Sequence, residues 1–381
     1  MKMKYLFWIS GALVGYSYLG YPAWLWLRAR WSPRPIRRGS ITPSVSVVMV
    51  VRNEEATLAH KLDNLIALEY PADRLEIVVV SDGSSDRTAS ILSEYAREPL
   101  GGREVLPLLK AESQGKAAGL NDAIEKATGE ILLFTDARQQ LEPGALRMLV
   151  ENFSDPAVGA ASGELMLGDP SLGETGKGMG LYWRIEKKIR ELESASGSVV
   201  GATGAIYCAR RSLLASSPLP EGTILDDVLL PMQIVRKGSR VIFDSRARAW
   251  DSPDLGDGRE FARKVRTLSG NYQLLQLAPW LLTSEDSIRF EFISHKLSRL
   301  AVPFALLAML VASLFLPAPF YRIALVLQLA FYALSIAALA GMKIGPLSRV
   351  ADPARTFLVL NSAAVIAFIN FVTGRKAIWV R

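Results

Sequence analysis

From residue 45 to about residue 153, short apolar runs rich in β-branched residues alternate with stretches of helical character, and this alternation restricts the chain to few architectures. Val45 to Val51 reads as a buried strand, followed by a helix over Asn53 to Leu68 with Asn53 as its cap ahead of Glu54 and Glu55. Leu75 to Val80, Val105 to Leu109 and Ile131 to Thr135 are the next strands. Helices are expected from Asp86 to Arg97, Ala117 to Ala127 and Pro143 to Phe153, the last with proline in its first turn. Elements in this order predict βαβ units and a mostly parallel sheet. After Val158 the alternation loosens into a helix over Gly173 to Ser194, the tight turn Gly201-Ala-Thr-Gly204, a short strand over Ala205 to Ala209, and a helix over Asp226 to Lys237 closed by Gly238. Ligands of open α/β sheets bind at the carboxyl ends of the strands. Asp82 and Asp136 fall there, Asp82 in Val80-Ser-Asp-Gly-Ser-Ser-Asp86 and Asp136 after Ile131-Leu-Leu-Phe134, and Asp227 lies in Ile224-Leu-Asp-Asp-Val228. Such carboxylates beside Lys116 and Arg266 suit a site that handles a diphosphate and removes a proton.

The hydrophobic fraction of 50% is raised, and the excess is concentrated at the two ends. Tyr5 to Leu27 is uncharged and long enough to cross a bilayer. A signal peptide would have a shorter apolar core and a small-residue cleavage site. Arg28, Arg30, Arg34, Arg37 and Arg38 follow it, against Lys2 and Lys4 in front, which puts the amino terminus outside and the central domain in the cytoplasm, on the inner (plasma) membrane. Leu300 to Leu316 and Tyr321 to Met342 read as further spans turned by Pro317-Ala-Pro319, and Thr356 to Val372 as a shorter one carrying Asn361 and Asn370. Three such runs with polar hinges argue against buried core helices. Arg259 to Leu277 has the pattern of an amphipathic helix on the membrane surface. The expected organisation is an anchor over 1–30, a basic linker over 31–43, a catalytic domain over 44–256, interfacial helices over 257–298 and a multi-pass membrane region over 299–381.

The net charge of +7 is mostly that of the juxtamembrane arginines, which favour anionic headgroups. No basic stripe with interleaved aromatics lies outside the membrane flanks, so nucleic acid is not an expected partner. Cys208 is the one cysteine, which excludes an intramolecular disulfide and fits a reducing compartment. His60 and His295 are the two histidines, too few for a His-rich zinc site or a good case for a Ser-His-Asp triad. His295, beside a span, reads as interfacial.

Val78 to Asp86, taken with Val47 to Glu55, resembles the nucleotide-binding half of the family 2 glycosyltransferases, and most of the chain resembles their membrane-bound branch of poly-N-acetylglucosamine, cellulose and hyaluronan synthases. The resemblance implies a GT-A fold (α/β, Rossmann-like, with a mostly parallel sheet) in the cytoplasm, with one N-terminal and about three C-terminal transmembrane helices. It implies that Asp82 contacts the uridine of a UDP-sugar, that Arg52-Asn-Glu54 lines the same pocket, and that Lys116 lies near the nucleotide or donor. On the residues alone, Gly83 and Asp86 also suit a turn that caps the next helix, and Lys116 a solvated loop. Gly115-Lys116-Ala117 lacks the earlier glycine and the following Ser/Thr of a P-loop.

Phe134-Thr-Asp-Ala-Arg138 stands where the family carries Asp-x-Asp, so Asp136 is the candidate ligand of a divalent metal, Mg²⁺ or Mn²⁺, and Arg138 replaces the second carboxylate. Arg138 either supplies phosphate-pairing charge or points to solvent. Asp226-Asp227 resembles the motif whose last carboxylate is the general base, which assigns that role to Asp227 and leaves Asp226 open to helix capping. Arg263-Lys-Val-Arg266-Thr267 matches Gln-x-x-Arg-Trp. Arg266 keeps the arginine expected to stabilise the leaving diphosphate. Arg263 and Thr267 replace the glutamine and the acceptor-stacking tryptophan, so acceptor recognition and processivity do not carry over. Gly201 to Ala205 matches a turn lining the acceptor path, and Tyr182, Trp183 and Trp250 offer either sugar-stacking faces or core packing.

The implied function is inverting transfer of a hexosyl or N-acetylhexosaminyl group from a nucleotide-sugar, UDP-linked foremost, to a glycan or lipid-linked acceptor at the membrane, with polysaccharide synthesis one outcome. The altered motifs admit a non-catalytic, membrane-tethered nucleotide-sugar sensor as the alternative, against which the retained Asp227 speaks. A transporter would show paired repeats or intramembrane charges, and neither is visible.

Overall fold

Seven consecutive apolar or small residues give Val45–Val51 (β1) no polar face, and the strand is buried along its whole length near the middle of an eight-stranded sheet. The computed structural model describes residues 1–97, 101–168, 181–251, 257–342 and 348–375. β1 pairs in parallel with Leu75–Asp82 (β2) and with Ile131–Phe134 (β4), and β2 in parallel with Glu104–Lys110 (β3). Beyond β4 lie Gln140–Leu141 (β5), Val158–Leu167 (β6), Tyr207–Arg210 (β7) and Arg240–Asp251 (β8), giving the order β3-β2-β1-β4-β7-β6-β8-β5. β7 is antiparallel to both β4 and β6, while β6 and β8 are parallel.

The helices follow from the amino terminus. Lys2–Gly15 (α1) and Tyr21–Trp31 (α2) are joined by a π turn over Tyr16–Gly20. Next come Leu58–Ile66 (α3), Thr88–Arg97 (α4), Lys116–Lys126 (α5), Ala145–Val150 (α6), Leu181–Ser196 (α7), Arg211–Leu214 (α8), Asp226–Arg236 (α9) and Asp257–Leu277 (α10). Arg289–Phe292 (α11) and Ser298–Phe315 (α12) run on through a second π turn at Ile293–Leu297, followed by Pro319–Leu339 (α13) and Ser348–Val372 (α14). Alternate strand residues sort to the two faces, as the two-residue period requires. Val48, Val50, Val78 and Val80 join α5 and α9 in one core, and Val47, Met49, Ile77 and Val79 join α3, α4 and α6 in the other.

β6 and β8 form where no strand is expected. β6 opens Val-Gly-Ala-Ala-Ser-Gly, and a Cβ on Gly163 would fall 2.5 Å from the Ala247 carbonyl oxygen of β8. Small residues permit that close approach and remove the β-branched signal that marks the other strands. The expected domain end at residue 256, and 173–180 of the expected helix, lie outside the described residues.

Among the described residues, three helices are long and apolar enough to cross a membrane: Arg289–Phe315, Pro319–Leu339 and Val350–Val372. Ile323, Val326 and Leu327 stand exposed along the second, an apolar surface suited to lipid. The aromatic N-terminal helix is not among those three, but it packs on them: Trp8 stacks on Phe320 at 5.5 Å, and its Nε1 donates to the Tyr321 hydroxyl. The helix expected on the membrane surface is α10, and its Leu268 and Tyr272 pack on Leu300, Ala367 and Phe371 of the membrane helices instead of facing lipid. His295 is not interfacial. It is buried, with Nδ1 and Nε2 each 2.8 Å from a carboxylate oxygen, of Glu193 and Glu186 respectively, because α7 presents two acids two turns apart on one face.

Gly163→Ala should lower the thermal midpoint of the detergent-solubilised protein, since overpacking of this kind costs about 1–3 kcal/mol. An unchanged midpoint, followed by tryptophan fluorescence, would show that β6 and β8 tolerate wider spacing.

Candidate active site

Register brings the candidate residues to one edge of the sheet. Val51 lies opposite Ser81, Asp82 opposite Lys110 and Val48 opposite Phe134, so the loops bearing Arg52, Asp82 and Asp136 leave side by side. Phe134 also pairs with Tyr207 of the antiparallel β7, which returns the Gly201–Gly204 turn to Asp136. α9 starts at the same place with Asp226 and Asp227 in its first turn.

Lys116 is the centre. Its Nζ lies 2.9 Å from Asp136 Oδ1 and 3.2 Å from Asp226 Oδ2. The Gly204 amide donates to Asp227 Oδ2 at 3.3 Å, and a Cβ on Gly204 would lie 3.3 Å from Asp136 Oδ2, so the missing side chain lets two carboxylates converge. The Ala202 amide donates to the Asp227 carbonyl at 2.7 Å and ties the turn to the start of α9. Beneath them Tyr207 stacks on Phe134 at 4.5 Å, its buried hydroxyl making no hydrogen bond.

Burial alone would lower the Lys116 pKa, but Asp136 and then Asp226 hold the ammonium charged well above its usual range. Asp227 is pushed up to about 6, by burial first and by Asp226 next, with Lys116 acting the other way. Lys116 and, beyond it, Lys296 act against this rise, but Lys116 is drawn to Asp136 and Asp226, and Asp227 is the acid left short of counter-charge.

Asp82 builds the site from behind. Its buried carboxylate accepts from Ser113 Oγ at 2.7 Å and from the amides of Gln114 and Gly115 at 2.8 and 2.9 Å, fixing the loop that launches α5 at Lys116. Gly83 permits the crossing: its φ is 62°, and a Cβ there would sit 2.4 Å from the Ser113 nitrogen. Lys61, which the sequence reading missed, is 1% exposed and donates to Thr135 Oγ1 at 2.8 Å and to the Gln139 carbonyl at 2.5 Å, under the loop that carries Asp136 and Arg138. Burial lowers its pKa to about 7, Asp136 partly opposing. The available signal was a lysine inside the apolar stripe Leu58, Leu62 and Leu65.

Apart from Asp226, the other candidates lie around this centre without joining it. Asn53 is not a helix cap: its φ is 55°, α3 begins only at Leu58, and its Oδ1 accepts from the Ser85 amide at 2.8 Å, lacing the loop after β1 to the loop after β2. Glu54 Oε2 accepts from Thr57 Oγ1, and the half-buried Arg52 has an Nε without a hydrogen-bond partner. Asp226 makes no capping hydrogen bond, its carboxylate being turned to Lys116. Arg138 is exposed. Arg263 lies 3.6 Å from Asp251, which also accepts from Gln139 Nε2 at 3.1 Å, so α10 reaches the Asp136 loop through a buried acid that the sequence reading passed over. Arg266 is half-buried on α10, and Thr267 is exposed, its hydroxyl bonded back to the Arg263 carbonyl. Gln273 of α10 accepts from the Ile224 amide and donates to the Gly222 carbonyl, bracing the approach to Asp226. Trp250 is a core residue with Nε1 on Glu142, not an open sugar face.

Among the described residues no group of three or more His, Cys, Asp or Glu is placed to hold a metal ion. Asp136 has a partly exposed carboxylate, with Oδ1 on Lys116 and Oδ2 towards Gly204. This fits an ion that arrives with most of its oxygen ligands on a diphosphate and water, not a preformed cage.

Residues 46–215 match the family model for Glycosyl transferase family 2. That stretch is similar to a family 2 glycosyltransferase domain. It is 28% identical over 199 residues to the beta-monoglucosyldiacylglycerol synthase of Synechocystis sp., covering 50% of this chain and 40% of that protein. It is 24% identical over 238 residues to the poly-beta-1,6-N-acetyl-D-glucosamine synthase of Staphylococcus aureus, covering 61% of this chain and 55% of that one. The match thus spans only about half the length of these curated relatives. The transferase domain and its helices superpose on the mannosyltransferase PcManGT of Pyrobaculum calidifontis, solved with GDP-Man and Mn²⁺, with a TM-score of 0.75 and 25% identity over 97% of this chain and 100% of that chain. The fold is GT-A-like, as the sequence reading expects.

Lys61→Met removes two hydrogen bonds from under the Asp136 loop, worth about 1–3 kcal/mol where buried acceptors are left unpaired. Hydrogen exchange over 135–139 should quicken about tenfold, and an unchanged rate would remove Lys61 as the support of this loop.

Proposed function

We propose that the chain is an inverting glycosyltransferase that moves a sugar from a nucleotide-sugar, UDP-linked by preference, to a hydroxyl on a glycan or lipid-linked acceptor at the membrane. The observation that carries this reading is Asp227 beside the Gly201–Gly204 turn, its carboxyl raised towards neutrality and within one residue of the Lys116–Asp226 contact. Asp227 takes the proton of the acceptor hydroxyl as that oxygen attacks the anomeric carbon. The bond from that carbon to the diphosphate breaks on the opposite face, and the configuration inverts. Lys116, Arg263 and Arg266 offset the charge that grows on the leaving diphosphate. Asp82, Arg52 and Glu54 shape the nucleotide pocket, Asp82 through the loop it fastens. A divalent cation bound with the donor, Mg²⁺ or Mn²⁺, would be held by Asp136 and would neutralise phosphate charge. Arg138 covers part of that charge from the exposed side.

The likeness to both a glycolipid synthase and a polysaccharide synthase supports a membrane-borne acceptor. The three apolar helices support a multi-pass protein, with residues 44–256 as a cytoplasmic catalytic unit. A nucleotide-sugar sensor would have no use for a proton acceptor at Asp227.

Asp227→Asn should leave nucleotide binding near wild type while transfer falls at least about a hundredfold, the scale of general-base loss. Nucleoside diphosphate release from a panel of UDP- and GDP-sugars reads this, and equal turnover in the variant would remove the assignment.

The base works only when ionised. The value of kcat/KM, which reports the free enzyme, should therefore be level above about pH 6 and fall about tenfold per unit below it. A profile that stays flat down to pH 4.5 would place the proton acceptor elsewhere. EDTA should abolish release and Mn²⁺ restore it. Full release in EDTA would mean that Lys116 and the arginines suffice for the diphosphate.

A further inference from the structure

Tyr207 carries a buried polar group that the fold leaves unpaired. The residue is fully buried on β7, opposite Phe134 of β4 and Ser162 of β6, and its ring stacks on Phe134 at 4.5 Å with the planes 7° apart. Two neighbouring strands and a ring thus fix the side chain, and its hydroxyl makes no hydrogen bond. Phenylalanine would give the same stack without burying an unpaired hydroxyl, and a buried tyrosine ordinarily finds a partner. The surroundings of this hydroxyl are acidic. Burial pushes its pKa well above the usual range, and Asp226, then Asp227, then Asp136 push it further. It is therefore a hydrogen-bond donor, kept protonated among three carboxylates.

Asp136 and Asp226 share the Lys116 ammonium, at 2.9 and 3.2 Å, while Lys296 acts on Asp227 more weakly than Lys116 does. Lys116 is also a cation that the proposed reaction assigns to the donor diphosphate. An arriving diphosphate competes with both carboxylates for the ammonium, and the longer contact, to Asp226, is the weaker one. The Asp136 carboxylate is partly exposed and can turn to water or to a cation that comes with the donor. Asp226 is buried and has no such outlet. A buried carboxylate that loses its cation is strongly unfavourable unless a hydrogen bond takes its place. Asp226 is the foremost charge acting on the Tyr207 hydroxyl, so this hydroxyl is the donor best placed to replace the ammonium.

We propose that Tyr207 is a positioning residue, whose hydroxyl takes up the Asp226 carboxylate when a donor diphosphate draws the Lys116 ammonium away. Asp226 then keeps its place at the start of α9, and so does Asp227, the next residue. The hydroxyl is unpaired in the resting site because its partner is still held by the lysine. The proposal rests on the transferase reading for the diphosphate alone, and its test reads binding, not transfer.

Binding to the full chain in lipid nanodiscs, with Mg²⁺ present, is measured for wild type, Tyr207→Phe, Asp226→Asn and the double variant. UDP and GDP are followed by calorimetry, uridine and guanosine by saturation-transfer NMR. Tyr207→Phe should weaken the nucleoside diphosphate that wild type binds by about fivefold or more. It should leave the parent nucleoside within about twofold, and keep or raise the thermal midpoint. In the Asp226→Asn background the same substitution should change diphosphate affinity by less than about twofold, because a neutral side chain needs no replacement for a lost cation. Unchanged diphosphate affinity in Tyr207→Phe would show an idle hydroxyl. An equal loss for the nucleoside, or a lowered midpoint, would show a packing role. A full loss that persists in the Asp226→Asn background would give the hydroxyl another partner. Each of these overturns the proposal, as does a wild type that binds neither diphosphate. Failure of the transferase reading alone shows as diphosphate binding without release from nucleotide-sugars, or as release indifferent to Asp227→Asn, and leaves the binding comparison intact.

Discussion

The Lys116 ammonium between Asp136 and Asp226 is the interaction on which the site depends. A lysine in the first turn of a helix opposes the helix dipole, and a largely buried one also loses hydration. Two carboxylates offset both costs, one from the end of β4 and one from the start of α9. The contact therefore joins three elements that share no local sequence. It also sets the chemistry of the third acid. Lys116, paired with Asp136 and Asp226, and the more remote Lys296 do not offset the burial of Asp227 beside Asp226, and its carboxyl is pushed up to about 6. Its position in the first turn of α9 would favour the charged form, so burial and Asp226 outweigh the dipole here.

That contact is held from below by groups that touch no substrate in the proposed mechanism. Asp82 fastens the loop before Lys116, Gly83 lets that loop pass, and Lys61 holds the loop of Asp136 from the opposite face. Buried polar groups of this kind are costly unless fully paired, and once paired they allow few alternative arrangements. The resemblance that assigned Asp82 to a nucleotide base is compatible with this role, since its loop and the laced loops after β1 and β2 border the same edge.

The first half of the sheet was legible because β1, β2 and β4 are covered on both faces and so read as largely apolar runs, with Ser46 in β1 and Glu76 near the start of β2 as the polar exceptions before the strand ends. The same logic placed Asp82 and Asp136 at strand ends. β6 escaped because close packing against β8 selects glycine, alanine and serine, whose composition carries no strand signal. Pairings escaped for a different reason. Nothing local to Lys116 says that Asp226 is its partner, nor does anything local to Asp251 say that it accepts from Gln139 while facing Arg263. His295 was misplaced because its neighbours in sequence are membrane-flanking, whereas its contacts are two glutamates contributed by α7.

Two helices connect the membrane region to this edge, and they do so differently. α10 packs Leu268 and Tyr272 on the membrane helices and reaches the site by Gln273, which braces the residues before Asp226, and by Arg263 at Asp251. α7 is bound to the start of the first C-terminal span by buried charges at Glu186 and Glu193, and its neighbouring residues wall a cavity that begins at the Asp227 turn. Apolar packing tolerates sliding of one helix on another. A histidine held through both ring nitrogens between two carboxylates does not, because a shift of an ångström or two removes both bonds. α7 is thus the more tightly specified of the two connections between the membrane helices and the sheet. In the proposed mechanism, an acceptor that stays in the bilayer would therefore be presented to Asp227 from a framework that α7 holds in register with the first C-terminal span.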